Sequence, residues 1–253
     1  MSAPLLEIDG LTKRFLGVTA VDSVDLRVEA GELVSLIGPN GSGKTTLFNC
    51  VTGQLAPDGG RVRFRGRDVT GTAAHRIAGL GLGRTFQLVR VFPRLSAIEN
   101  LLTFLQQHQE ESVIGRLVRV PRVRRLEVAA VERARHLLDS VGLAARADAP
   151  AGSLSYGQRK LLAFAAALMS DPDLLLLDEP AAAVNPTMVN QMKEQIRALH
   201  RAGKAVLLVE HNMDVVMDVS ERVIVLDHGQ KIAEGPPGAI RRDPRVIEAY
   251  FGA

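Results

Sequence analysis

The chain has 253 residues, 46% of them hydrophobic, and lacks the run of about 20 apolar residues that a membrane-spanning helix needs. Its 31 lysines and arginines against 28 acids leave a net charge of +3, too even a balance to point to nucleic acid by itself. A single cysteine, Cys50, excludes a disulfide within the chain, and the N-terminus lacks the charged-then-apolar pattern of an export signal. One domain with a subdomain suits this length better than two independent domains.

The first predicted elements are strands. Apolar and polar residues alternate through residues 5–36 (Leu6, Ile8 and Leu11, then Val24, Leu26 and Val28), which predicts antiparallel strands with turns at Asp9-Gly10 and Ala30-Gly31. Leu33-Val34-Ser35-Leu36-Ile37 reads as a buried strand. Directly after it comes Gly38-Pro39-Asn40-Gly41-Ser42-Gly43-Lys44-Thr45, which satisfies the phosphate-loop pattern G-x-x-x-x-G-K-[ST] at every fixed position. Thr45 to Val51 reads as a helix that Gly53 ends, so the motif sits between strand and helix, as it must. Glycines let the backbone wrap phosphate oxygens, and N–H groups at a helix start supply positive charge. Lys44 would reach the β- and γ-phosphates and the Thr45 hydroxyl would ligate Mg²⁺, with Thr46 completing the phosphate contacts. Cys50, inside this helix, reads as a small packed hydrophobe.

Further along, Val62 to Phe64 and a piece near Val69 would extend the antiparallel sheet, with a turn at Asp58-Gly59-Gly60. Residues 96–150, rich in Leu, Ala, Arg and Glu, predict helices broken at Pro121. Between Arg116 and Arg135 lie seven arginines and two acids, which read either as a solvated helix face or as a surface near anionic lipid headgroups. Arg159 to Met169 predicts another helix. Three short apolar runs follow (residues 174–177, 205–209 and 223–226), separated by helical stretches, the pattern of a parallel sheet covered on both faces. The fold class is therefore α/β: a parallel core holding the phosphate loop, an N-terminal antiparallel β layer, and a helical insert.

Ligands in such sheets bind at the carboxyl ends of the strands. Asp178 and Glu179 directly follow the run 174–177, so Asp178 can hold Mg²⁺ through water and Glu179 can act as base toward an attacking water. His211 ends the next strand, where it can hydrogen-bond a γ-phosphate. Gln87, just before the helical insert, is placed to touch Mg²⁺ and the water. Ser155 and Gly157, at the start of the helix after residue 154, make a second anion site.

The loop at 38–45, Gln87, Leu154-Ser155-Tyr156-Gly157-Gln158, the acidic strand end at 174–179 and His211 together resemble an ABC-transporter ATP-binding subunit, in order and spacing, across essentially the whole chain. That resemblance implies one domain over 1–253, with 1–90 and 160–253 forming the β layer and nucleotide core and 91–159 the helical subdomain. It implies ATP and Mg²⁺ as ligands, with Thr45, Gln87 and Asp178 toward the metal. It also implies two ATPase chains packed head to tail, with Ser155, Gly157 and Gln158 facing the nucleotide of the partner, and Phe15 stacking on adenine. The partners implied are a second ATPase chain and membrane permease subunits, with no nucleic acid; the chain would lie in the cytoplasm at the inner face of the membrane. Ala182-Ala183-Val184-Asn185 departs from the Ser-Ala-Leu-Asp common in the family, so Asn185 can hydrogen-bond across a dimer but carries no charge.

Gly83-Arg84-Thr85-Phe86-Gln87, Val91-Phe92-Pro93, Glu99-Asn100-Leu101, the basic insert, Asn185-Pro186 and the ending Val246-Ile247-Glu248-Ala249-Tyr250-Phe251-Gly252 are similar to the branched-chain amino-acid importer subgroup. Urea and short-amide importers and lipopolysaccharide-export ATPases are close relatives of it. Val91, Phe92 and Leu95 would face a permease helix. Two other classes compete: a soluble ABC ATPase, which typically carries two ATPase domains or a long coiled coil, and a phosphate-loop kinase, which leaves Ser155 and Gly157 unexplained.

Overall fold

The computed structural model describes residues 3–85, 91–105 and 121–252. The chain begins with β1 (Leu6–Phe15), β2 (Val18–Val28) and β3 (Leu33–Ile37), then the helix Lys44–Val51. Next come β4 (Gly59–Phe64), β5 (Arg67–Asp68), the helix Ala74–Gly79 and β6 (Leu82–Arg84). Helices Ala97–Thr103, Pro121–Ser140 and Tyr156–Ala167 form the insert. The remainder alternates: β7 (Leu174–Asp178), helix Pro186–Arg201, β8 (Ala205–Val209), helix Met213–Val219, β9 (Arg222–Asp227), β10 (Gln230–Gly235), and two closing helices, Pro237–Ile240 and Pro244–Phe251.

Two sheets form. β2-β1-β4-β5 is antiparallel; β10-β9-β3-β8-β7-β6 is parallel except for the edge strand β10, which runs antiparallel to β9. The continuous apolar runs are buried on both faces, and their two-residue period divides them between two cores. Leu174, Leu176, Leu207 and Val209 share a core with Leu6, Ile8 and Leu26 of the antiparallel sheet and with Phe48 of the helix Lys44–Val51. Leu175, Leu177, Val206 and Leu208 meet the helical side through Leu161, Phe164, Met192 and Ile196. Cys50 is buried in the first of these cores, and burial pushes its thiol pKa up to about 11, as suits a packed hydrophobe.

Two expected turns are corrected. Asp9-Gly10 is not a turn: β1 runs through it, with Gly10 at φ +57° and a register shift between Ile8 and Leu11, so the glycine makes a bulge and the hairpin reverses at Leu16-Gly17. Gly59 and Gly60 lie inside β4, because Gly60 approaches the backbone of Asp9 and Gly10 too closely for a Cβ, and the turn falls at Arg65-Gly66. Near Val69 the paired residues are Arg67 and Asp68. Pro121 is the first residue of its helix, where a missing N–H costs nothing.

Register places the strand ends. Leu36 pairs with Val209, and Val209 with Asp178, so the ends of β3, β8 and β7 stand at one level. The segments that leave those ends, at residues 38, 210 and 179, therefore emerge along one sheet edge.

Candidate nucleotide site at the sheet edge

The loop after β3 closes tightly. A Cβ on Gly38 would lie 2.0 Å from the Leu226 carbonyl oxygen, and one on Gly43 would lie 2.3 Å from that of Ala20. With Gly41, both have positive φ, the backbone that a concave nest of N–H groups requires. Lys44 is buried and its ammonium donates to the carbonyls of Gly38 (2.8 Å) and Pro39 (2.9 Å) and to Ser42 Oγ (3.2 Å). Burial lowers its pKa, opposed by the negative charges of Glu179 and Asp178, so the loop and the acidic strand end share one electrostatic site. Asn40 and Thr45 are exposed and Thr46 half-buried, which leaves the mouth of the loop open.

Asp178 ends β7 with its side chain 2% exposed, and its Oδ2 accepts from Arg84 Nη2 at 2.9 Å. Arg84 also donates to Asn49 Oδ1 (2.7 Å) and Thr52 Oγ1 (3.0 Å), which joins β6, the helix behind the phosphate loop and β7 in one network. Asp178 N–H donates to Thr85 Oγ1 at 3.2 Å. Glu179 takes the left-handed conformation, φ +49°, rare for a residue with a side chain and a mark of strain held by its surroundings. Its Oε1 lies 2.9 Å from His211 Nε2, so two residues from different strand ends are in contact. Gln87 lies outside the described residues.

Ser155 caps the helix Tyr156–Ala167 in a reciprocal box: Ser155 Oγ accepts from Gln158 N–H, and Gln158 Oε1 accepts from Ser155 N–H. The serine uses a lone pair for this and keeps its own O–H for another acceptor. Gly157 packs where a Cβ would meet the Met188 side chain at 3.0 Å. Asn185 caps the next helix through Met188 N–H, a local role open to an uncharged amide. Phe15 is 42% exposed at the hairpin end, with the Lys13 ammonium 5.4 Å from its ring centre. Phe92 is 56% exposed, while Val91 and Leu95 are partly buried.

Four residues have structural roles that were not read from sequence. Arg84, Lys160 and Glu210 are charged yet buried, and Asn100, also buried, fixes the loop that displays Phe92 through bonds to Phe92 N–H and the carbonyls of Phe92 and Ser96.

The family model for the ABC transporter matches residues 21–182, and that for the branched-chain amino acid ATP-binding cassette transporter matches residues 230–253. The high-affinity branched-chain amino acid transport ATP-binding protein BraF of Pseudomonas aeruginosa is 45% identical over 253 residues, which is all of this chain and 99% of BraF. The ADP conformation of MJ1267, an ATP-binding cassette of an ABC transporter, is similar with a TM-score of 0.86 and 34% identity, covering all of both chains. The dimeric post-hydrolysis structure of the ATP-binding cassette MJ0796 bound to ADP and Pi is similar with a TM-score of 0.77 and 26% identity, over 92% of this chain and 98% of that one.

Proposed function

The chain belongs to the ABC transporter family of ATP-hydrolysing cassettes, and from that premise we propose that it powers import of branched-chain amino acids through membrane permease subunits. The observation that carries the chemical part is the convergence of Lys44, Asp178, Glu179 and His211 at one sheet edge. The solute rests on the match at residues 230–253 and on the full-length similarity to BraF.

Each residue then has a role in ATP hydrolysis. The loop from Gly38 to Thr46 cradles the phosphates, and Lys44 exchanges its carbonyl partners for phosphate oxygens. Glu179 accepts a proton from water as that oxygen bonds to the γ-phosphorus and the bond to the β,γ-bridging oxygen of ADP breaks. His211 orients the Glu179 carboxylate and hydrogen-bonds the γ-phosphate. The oxygen donors of Thr45 and Asp178, with Gln87 as a third contact, would hold Mg²⁺, which would supply positive charge against the phosphates. Phe15 offers a face for adenine. Ser155 donates its O–H to the nucleotide held by a second ATPase chain, with Gly157 and Gln158 beside it. Among the described residues no helix is long and apolar enough to cross a membrane, so membrane contact would run through the permeases at the cytoplasmic face.

Replacing Glu179 with glutamine keeps shape and removes basicity. Hydrolysis by Glu179→Gln is expected to fall by roughly 10² to 10⁴, with ATP affinity retained. Near-normal turnover rejects Glu179 as base. In proteoliposomes holding the permeases, ATP-dependent uptake of leucine, isoleucine and valine supports the solute; uptake of urea or short amides in their place reassigns it.

A further inference from the structure

Two buried charges outside the nucleotide contacts meet on the segment that carries Glu179. Lys160 is 7% exposed and sits in the helix Tyr156–Ala167; Glu210 is 1% exposed and follows β8. The Lys160 ammonium donates to three carbonyl oxygens of one turn: Glu179 at 2.9 Å, Ala182 at 2.6 Å and Pro180 at 3.4 Å. Glu210 binds the same turn by the opposite polarity, accepting from Ala181 N–H at 2.7 Å. Its other oxygen accepts from the N–H groups of His211 (3.0 Å) and Asn212 (3.1 Å).

The turn needs such fixing. Glu179 and Ala183, at its two ends, both have positive φ (+49° and +58°), a strained conformation for a residue with a side chain. Isolated in water, carbonyls and N–H groups of such a turn would be solvated and the backbone would relax. Here a desolvated ammonium and a desolvated carboxylate satisfy them, and hydrogen bonds to charged groups are the strong kind. Glu210 also ties the backbone under His211 to the backbone beside Glu179. The 2.9 Å contact between His211 Nε2 and Glu179 Oε1 is thus braced at both of its roots.

We propose that Lys160 and Glu210 are positioning residues that clamp the 179–183 turn and so aim the Glu179 carboxylate at the water it activates. The inference rests on the reading of Glu179 as base.

The test is a double-mutant cycle in steady-state ATP hydrolysis, with ATP affinity and thermal melting measured on each variant. Lys160→Met alone is expected to lower kcat by about tenfold or more, while KM for ATP stays within about twofold. In the Glu179→Gln background the same change is expected to lower the residual rate by less than about twofold, because its effect passes through the carboxylate already removed. Glu210→Gln, which keeps one acceptor, is expected to lie between. Should Lys160→Met lose its melting transition, Lys160→Gln is read in its place, since it retains a donor. Equal losses with and without Glu179, or normal turnover in a folded Lys160 variant, overturn the proposal. Near-normal turnover of Glu179→Gln alone overturns the reading of the base instead, so the two failures are told apart.

Discussion

Arg84 and Asp178 form an ion pair with side chains 8% and 2% exposed, and at that depth the loss of one partner matters more than the pair's own strength. Arg84→Met leaves a buried carboxylate uncompensated and also strips donors from Asn49 and Thr52. It is expected to lower unfolding stability by about 3–5 kcal/mol in urea titration, and the further change Asp178→Asn is expected to restore part of that loss. A loss under about 1 kcal/mol would mean that water reaches the site and solvates Asp178. The contrast with Glu179 shows what sequence can disclose at this scale. Lys44, Asp178, Glu179 and His211 were legible because each sits at a fixed offset from an apolar run or a glycine pattern. Lys160 and Glu210 were not, because the turn they share lies 19–29 residues away from them, brought near only by the sheet register and helix packing. Gln158, expected at the partner's nucleotide, has a separate local role in its capping bond to Ser155.

Among the elements, the buried strands were the easiest to read. Short runs dominated by apolar residues, with no polar face, read as strands covered on both sides, and β3, β7 and β8 are buried throughout, Ser35 and Asp178 included. Short or polar edge strands carry no such signal. β6 is three residues long and β10 is half polar, so both were missed. Glycine misled at Gly10 and at Gly59-Gly60 because a bulge and a close strand crossing use the same residue as a turn. The segment before the helix Ala97–Thr103 has a distinct logic. Ser96 and Glu99 form a capping box, and Asn100 bonds back to Phe92 and Ser96, so the loop is rigid while the Phe92 ring stays outside the core. A large aromatic held out on a fixed loop suits a docking site for a permease helix. Phe92→Asp is therefore expected to keep ATP affinity and melting temperature, and to abolish co-purification with the permease. An unfolded variant, or one that still co-purifies, contradicts that role.

At the scale of the whole molecule, the chain holds one phosphate loop and one Ser155 site, on different segments of one body. Ser155, capped and with a donor to spare, lies at the start of the helix whose Lys160 holds the turn of Glu179. On the proposed reading, a site that joins a phosphate loop to a serine donor is completed when two ATPase chains meet. The most direct test is the solution mass of the Glu179→Gln chain by light scattering in ATP and in ADP. Twice the chain mass in ATP, the single mass in ADP, and a monomer in both once Ser155→Arg is added are the results predicted. The same mass in ATP as in ADP, or a dimer that ignores Ser155→Arg, would contradict a nucleotide sandwiched between two chains.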